Sequence, residues 1–247
     1  MLRAKAFGIQ GLIESAVEKP QPPILLAITS SAKISWQGSV GASTYNVERA
    51  TRTNGPWTVV GKEIDDTWVR YRPLFTDSGI EGESYYYRVR AKNAAGVSEP
   101  SNIVGPVSFR GRYLVDELLD FSKTSVHEGK LSLESANARP YKEDPHRVKG
   151  ERGASVTYRV DGPVRSAEVL SLMEGEQKDL EFYVSDDGRT FEKVTPQVMR
   201  YANAANLYGY KLPVKYEVSN LTIKARYLKI GFTGPAQISR VEINYVK

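Results

Sequence analysis

SYYYRVRAKN, residues 84–93, changes side at every step. Tyr85, Tyr87, Val89 and Ala91 fall on one side of an extended chain; Tyr86, Arg88, Arg90 and Lys92 fall on the other. A period of two belongs to a strand, and this pattern gives it one face for a core and one for water. The neighbouring segments repeat the rhythm. KISWQ (33–37) puts Ile34 and Trp36 on one face, and TYNVERA (44–50) alternates Tyr45, Val47 and Arg49 with polar residues. TNGPW (53–57) is a turn signal from which WTVVG runs out, and WVRYRPLF (68–75) follows. Six or seven short strands within roughly 85 residues fit a small β-sandwich.

Beyond VGPVSFRGR (104–112) a second strand-rich stretch begins, with SVTYRV (155–160), SAEVLSL (166–172), LEFYVS (180–185), RTFEKV (189–194), ARYLKIGF (225–232) and ISRVEINYV (238–246). Between LEFYVS and RTFEKV, Asp187–Gly188 supplies the positive φ angles of a tight hairpin. YLVDELLDF (113–121) carries the one helical signal here, a short turn. At the other end, Leu2, Ala6, Ile9 and Ile13 recur at helix spacing. That predicts an amphipathic helix within residues 1–19, stopped by a proline-rich linker at 20–23.

Composition narrows the chemistry. The chain has 247 residues and a net charge of +5. Its basic residues are interleaved with acids, as on a solvated surface rather than along a phosphate-tracking stripe, so no nucleic-acid partner is expected. No run of eighteen apolar residues offers a membrane helix. The absence of cysteine excludes disulfides, thiol nucleophiles and cysteine-based zinc sites. His127 and His146 match no common two-histidine metal spacing. With 15 Tyr against 7 Phe, the aromatic content favours strands and surfaces that pair an apolar face with a polar tip. No GxSxG, P-loop, HExxH or GxGxxG is present, and Glu143, Asp144 and Glu181 lie in no catalytic motif. The chain by itself is therefore not expected to be an enzyme.

ISWQGSVGASTYNVERA and GESYYYRVRAKNAAGVSEPSN resemble a fibronectin type III domain over residues 24–108. The resemblance matches Trp36 to the family's early-strand tryptophan and Tyr85 to its tyrosine corner, and gives the last hairpin to NAAGVSEPSN, with Gly96 in its turn. EFYVSDDGRTFEKV, ARYLKIGF and QISRVEIN resemble the discoidin or galactose-binding-like jelly roll, over residues 112–247. The fold class expected is all-β: an immunoglobulin-like sandwich, then a jelly roll, with a short N-terminal helix. The segment opening in Leu114 to Leu118 is similar to tails that follow a fibronectin-like module in bacterial family 5 glycoside hydrolases of mannanase type. That resemblance implies an extracellular or periplasmic precursor whose catalytic barrel precedes this chain. It also implies a polysaccharide partner, mannan-like or another plant glycan. The alternative is a structural spacer or protein-interaction tail.

Sugars present apolar C–H faces and a rim of hydroxyls, so a site for them needs aromatic rings beside polar groups. MRYANAANLYGYKLP (199–213) offers Tyr201, Asn203, Asn206, Tyr208 and Tyr210 in a long stretch between strands, the alternative being that the tyrosines only pack the loop down or that Tyr208 and Tyr210 alternate within a strand. NARPYKEDPHR (137–147) adds Arg139 and Tyr141, and both segments are expected at one end of the second sandwich. Asp144, His146 and Arg147 read as a surface salt-linked turn, and Trp57 and Trp68 either as strand packing or as half-exposed rings for a ligand. No cofactor is expected beyond a structural calcium, for which Asp186 and Asp187 are the candidate ligands, a hairpin turn being the cheaper account of both.

Overall fold

The computed structural model describes residues 18–28, 33–67, 73–78, 82–173, 180–201, 209–221 and 224–246. The expected helix at residues 1–19 lies almost wholly outside these, as do Trp68 and most of WVRYRPLF.

The first sandwich contains β1 (Ile24–Leu25), β2 (Lys33–Ile34), β3 (Trp36–Gln37), β4 (Thr44–Ala50), β5 (Thr58–Ile64), β6 (Phe75–Thr76), β7 (Ser84–Asn93), β8 (Gly96–Val97) and β9 (Val104–Ser108). One sheet runs β5-β4-β7-β8, with β9 also paired to β7, and faces the short pairs β1-β3 and β2-β6. The alternation in β7 is kept residue for residue: Tyr85, Tyr87, Val89 and Ala91 are buried and their neighbours are half-buried. They pack with Ile34, Trp36, Tyr45, Val47 and Phe109. Trp36 tilts against Tyr45 with ring centroids 5.2 Å apart. Tyr85 meets Phe109 edge-on. The hydroxyl that reaches back to earlier chain belongs to Tyr87, two residues beyond the expected corner: it donates to Asp77 Oδ2 at 2.9 Å. Burial and the nearby Asp77 carboxylate push the Tyr87 hydroxyl far above the usual tyrosine range. Trp57 is half-buried, with the Arg88 guanidinium 4.3 Å from its ring centroid.

The second sandwich contains β10 (Arg112–Asp116), β11 (Val126–Glu128), β12 (Leu131–Glu134), a 3-10 turn at Arg139–Tyr141, β13 (Arg147–Gly150), β14 (Ser155–Arg159), β15 (Val164–Met173), β16 (Leu180–Ser185), β17 (Glu192–Val194), β18 (Gln197–Arg200), β19 (Leu212–Ser219), β20 (Tyr227–Phe232) and β21 (Ala236–Tyr245). One sheet runs β12-β13-β21-β15-β19-β18, with β10 also on β21; the other runs β11-β14-β20-β16-β17. All pairings are antiparallel, and apolar residues of the two inner faces interdigitate as one core. Phe182 and Tyr216 touch across the sheets at 5.2 Å. Tyr158 brings a hydroxyl into this core and donates it to Asp116 Oδ2 at 3.0 Å. The architecture is thus all-β, two sandwiches in tandem.

YLVDELLDF does not turn helically. Its first half is β10, paired with Val241 to Asn244 of β21. Asp116 then accepts the Leu118 N–H at 2.9 Å, and Leu118 takes a left-handed φ of 57°, which ends any helical path. The hairpin after β16 has its positive φ at Gly188 (72°). Asp187 works through its carboxylate rather than its backbone.

Only Phe109, Arg110 and Gly111 separate β9 from β10. Phe109 is buried and its N–H donates to Glu83 O at 3.0 Å. Asn244 Nδ2 donates to Arg110 O and Arg112 O. On β21, Ile238, Val241 and Ile243 enter the core, yet Arg240, Glu242 and Asn244 are also 3–6% exposed. The first sandwich meets Arg240 and Glu242, and the join meets Asn244. Thr76 donates to Glu242 Oε1 at 3.1 Å and accepts from Arg240 Nη2 at 3.0 Å. Lys33 donates to Glu168 Oε1 at 2.6 Å and lies 3.5 Å from Glu242 Oε2. Burial opposes the ionisation of Glu242, but Arg240 and Lys33 together hold its carboxyl below the usual range.

Candidate functional site

The two segments singled out for sugar contact meet in space. Lys211 N–H donates to Pro140 O at 2.8 Å, and Lys142 Nζ sits 4.0 Å from the Tyr210 ring centroid. Arg139 is exposed, while Tyr141, Tyr201 and Tyr210 are half-buried. Tyr201 follows β18 directly, its N–H on Pro213 O at 3.2 Å. Asn203, Asn206 and Tyr208 lie outside the described residues.

Arg147 organises this end of the sandwich. It is 1% exposed, so the turn from Asp144 to Arg147 is not the surface salt link its charges suggested. Its guanidinium donates to Gln237 Oε1 and Ala136 O, both at 2.8 Å, and to Asp144 O. Its plane lies 4.1 Å from the centroid of Tyr141, whose hydroxyl accepts from Gln237 Nε2 at 2.8 Å. Asp144, also buried, accepts the Ser239 hydroxyl and the His146 N–H. Two backbone carbonyls and a glutamine amide oxygen, rather than carboxylates, accept its hydrogen bonds, which is why charge pattern alone hides it. Around it, Asn137, Lys142 and Glu143 hold left-handed φ angles of 53°, 61° and 62°. Strain of that kind, about 1 kcal/mol or more per residue, persists where the surroundings impose it. A cation thus lies against the rings of Tyr141 and Tyr210, and the loop carries ammonium, guanidinium and phenol groups.

Asp186 and Asp187 are committed elsewhere. Asp187 Oδ1 accepts Arg189 N–H at 2.8 Å, Thr190 N–H at 2.9 Å and the Ser185 hydroxyl at 3.0 Å. Those bonds bring its carboxyl down to about 2. Asp186 pairs with Arg226 at 3.0 Å. Among the described residues no three acids or histidines gather as a metal site.

The sequence reading missed a hollow of about 330 Å³ on the outer face of the five-stranded sheet. Register builds it. Glu128, Ser155, Gly231 and Glu181 form one row across β11, β14, β20 and β16. The next row holds Thr157, Lys229, Tyr183 and Lys193. Ser155 and Gly231 are the low floor, with Tyr183 and Phe191 on one flank and Glu128 on the other. Tyr183 donates to Glu181 Oε2 at 2.6 Å, and Lys193 pairs with the same carboxylate. Lys229 lies 3.5 Å from Glu128 Oε2. The Lys193 and Tyr183 hydrogen bonds hold Glu181 below the usual carboxylate range. That is the reverse of what a glycosidase general acid requires. The legible clue was Gly231, an unexplained glycine inside the alternating ARYLKIGF.

No family profile matches the chain. Among solved structures, it is similar to an Fn3-like protein from Clostridium thermocellum (26% identity, 39% of this chain and 96% of that one, TM-score 0.29). It is also similar to CsCBM6-3 from Clostridium stercorarium in complex with cellobiose (15% identity, 53% and 93%, TM-score 0.34). A third likeness is to the CBM51-2 and INT domains of Clostridium perfringens ZmpB in complex with GlcNAc (10% identity, 78% and 45%, TM-score 0.28).

Proposed function

We propose that this chain is a non-catalytic module pair that holds carbohydrate through the loop end of its second sandwich. The observation that supports this most directly is the Arg147-centred loop. A buried guanidinium fixes Tyr141, and the Lys211–Pro140 hydrogen bond and the Lys142–Tyr210 contact bring the Tyr210 segment beside it. A preorganised loop of aromatic rings and hydrogen-bond donors at one end of a rigid sandwich suits a polyhydroxylated ligand. The finer reading follows the sequence resemblance: a mannan-like or other plant polysaccharide as ligand, and a glycoside hydrolase outside the cell as the enzyme served. Weak contacts then act by raising the enzyme's concentration at its insoluble substrate.

Affinity electrophoresis of the full chain against mannan, galactomannan, xylan and cellulose tests the proposal. Retardation on at least one glycan that is lost in Tyr141→Ala/Tyr210→Ala supports it. Absence of retardation on every glycan refutes it. One observation favours the competing reading, a spacer or protein-interaction tail: cations already cap the Tyr141 and Tyr210 rings, as they would in a loop that only packs on itself. Under that reading the double variant loses stability without any change in mobility.

A further inference from the structure

We infer that the hollow over Ser155 and Gly231 is a second carbohydrate site, shaped for a compact, uncharged sugar and independent of the loop end. Glycine inside a strand weakens it and earns its place where packing or a ligand demands close approach. Packing makes no such demand at Gly231. A Cβ there would lie 3.6 Å from Tyr183 Cε2 and 3.9 Å from Glu181 O, both ordinary contacts, and its φ lies outside the left-handed region. Gly150 is the contrast: a Cβ there would be driven to 2.5 Å from the Phe232 ring. With no steric reason for a bare backbone at Gly231, what the glycine provides is depth on an otherwise well-covered face.

The walls say what the depth is for. At about 330 Å³ the hollow is at the small end of ligand sites, which run from about 300 to 1,000 Å³. Phe191 and Tyr183 give ring surface for an apolar C–H face. Glu128 and Glu181 give acceptors, and Lys229 and the Ser155 hydroxyl, which already reaches Glu128 Oε2 at 3.4 Å, give donors. A sugar hydroxyl both donates and accepts, so it can use either kind. Glu128 pairs with Lys229 in the hollow and Glu181 with Lys193 beside it, so neither carboxylate stands uncompensated. A uronate, sulfate or phosphate group would meet Glu128 and Glu181 directly. Neutral pyranosides are the class that fits.

Isothermal titration calorimetry on the full chain tests this with galactose, mannobiose, xylobiose, cellobiose and digalacturonate, at low and high salt. Gly231→Val fills the floor while suiting the strand, and Phe191→Ala removes ring surface at the rim without touching the core. With the loop end silenced by Tyr141→Ala/Tyr210→Ala, the expected result is that salt-independent binding of a neutral sugar remains and is weakened at least about tenfold when either hollow variant is added. Variants that bind as the parent does, or salt-sensitive binding that prefers digalacturonate, overturn the inference. Binding lost only in the tyrosine pair leaves the loop-end proposal standing and removes this one. No heat with any sugar, alongside no retardation on any polysaccharide, removes both.

Discussion

Replacing Arg147 by alanine tests the physical account of the loop end. The side chain makes three hydrogen bonds, to Gln237 Oε1, Ala136 O and Asp144 O, and stacks on Tyr141. Each hydrogen bond from a charged donor is worth about 1.5–3 kcal/mol net, so the gross loss is about 5–9 kcal/mol. Part is recovered, because burying the guanidinium was itself costly and water can enter the space to reach the abandoned carbonyls. A net loss of about 3–5 kcal/mol remains, the range found when a buried charged group leaves its partners unmatched. For a domain of this size about 3–4 °C of melting temperature accompanies each kcal/mol, so the second sandwich should melt about 9–20 °C lower. Hydrogen exchange should localise the change: the amides of residues 136–144 lose protection while those of β14 and β20 keep most of theirs. Arg147→Lys should recover little, since an ammonium cannot span three acceptors and lie flat on Tyr141. A melting shift under about 3 °C, about 1 kcal/mol, with unchanged exchange in the loop, would refute the claim that Arg147 holds the loop in place.

Three further outcomes are expected. Tyr158→Phe removes the buried hydroxyl that serves Asp116 and should cost about 1.5–3 kcal/mol by denaturant titration. Trp36→Ala should cost the first sandwich about 3–5 kcal/mol, read through Trp57 and Trp68 fluorescence, because the second sandwich contains no tryptophan. Asp187 has a depressed folded value of about 2, so its contribution is full above the unfolded value of about 3.9 and fades as pH falls towards 2. The melting-temperature gap between the parent and Asp187→Asn should accordingly be widest above about pH 4 and narrow on acidification.

Where one face of a strand is wet, the fold was open to reading. Tyr85, Tyr87, Val89 and Ala91 are buried as their alternation required, and Ile34 and Trp36 join them. The same signal fails on β21, because both of its faces are covered and only coordinates show that Arg240 and Glu242 meet the first sandwich and Asn244 the join. YLVDELLDF misled through leucines at helical spacing, which here serve a strand and the left-handed turn at Leu118. At the loop end, residue types and their convergence could be anticipated, but the burial of Arg147 could not, since two of its partners are main-chain oxygens common to every sequence and the third, Gln237 Oε1, lies on a distant strand. The sheet hollow depends on register between segments far apart in the chain, which no local pattern encodes.

The three-residue join between the sandwiches governs how the pair could be mounted on anything else. A flexible tether lets a binding module sample a sphere of directions and averages away its orientation. Here Asn244 grips the join from both sides, and Thr76 and Lys33 bolt onto β21. These contacts oppose free rotation of one sandwich about the other. A surface carried at the far end is aimed as well as delivered, and altering Thr76 or Lys33 would loosen the aim while leaving every ligand-facing residue in place.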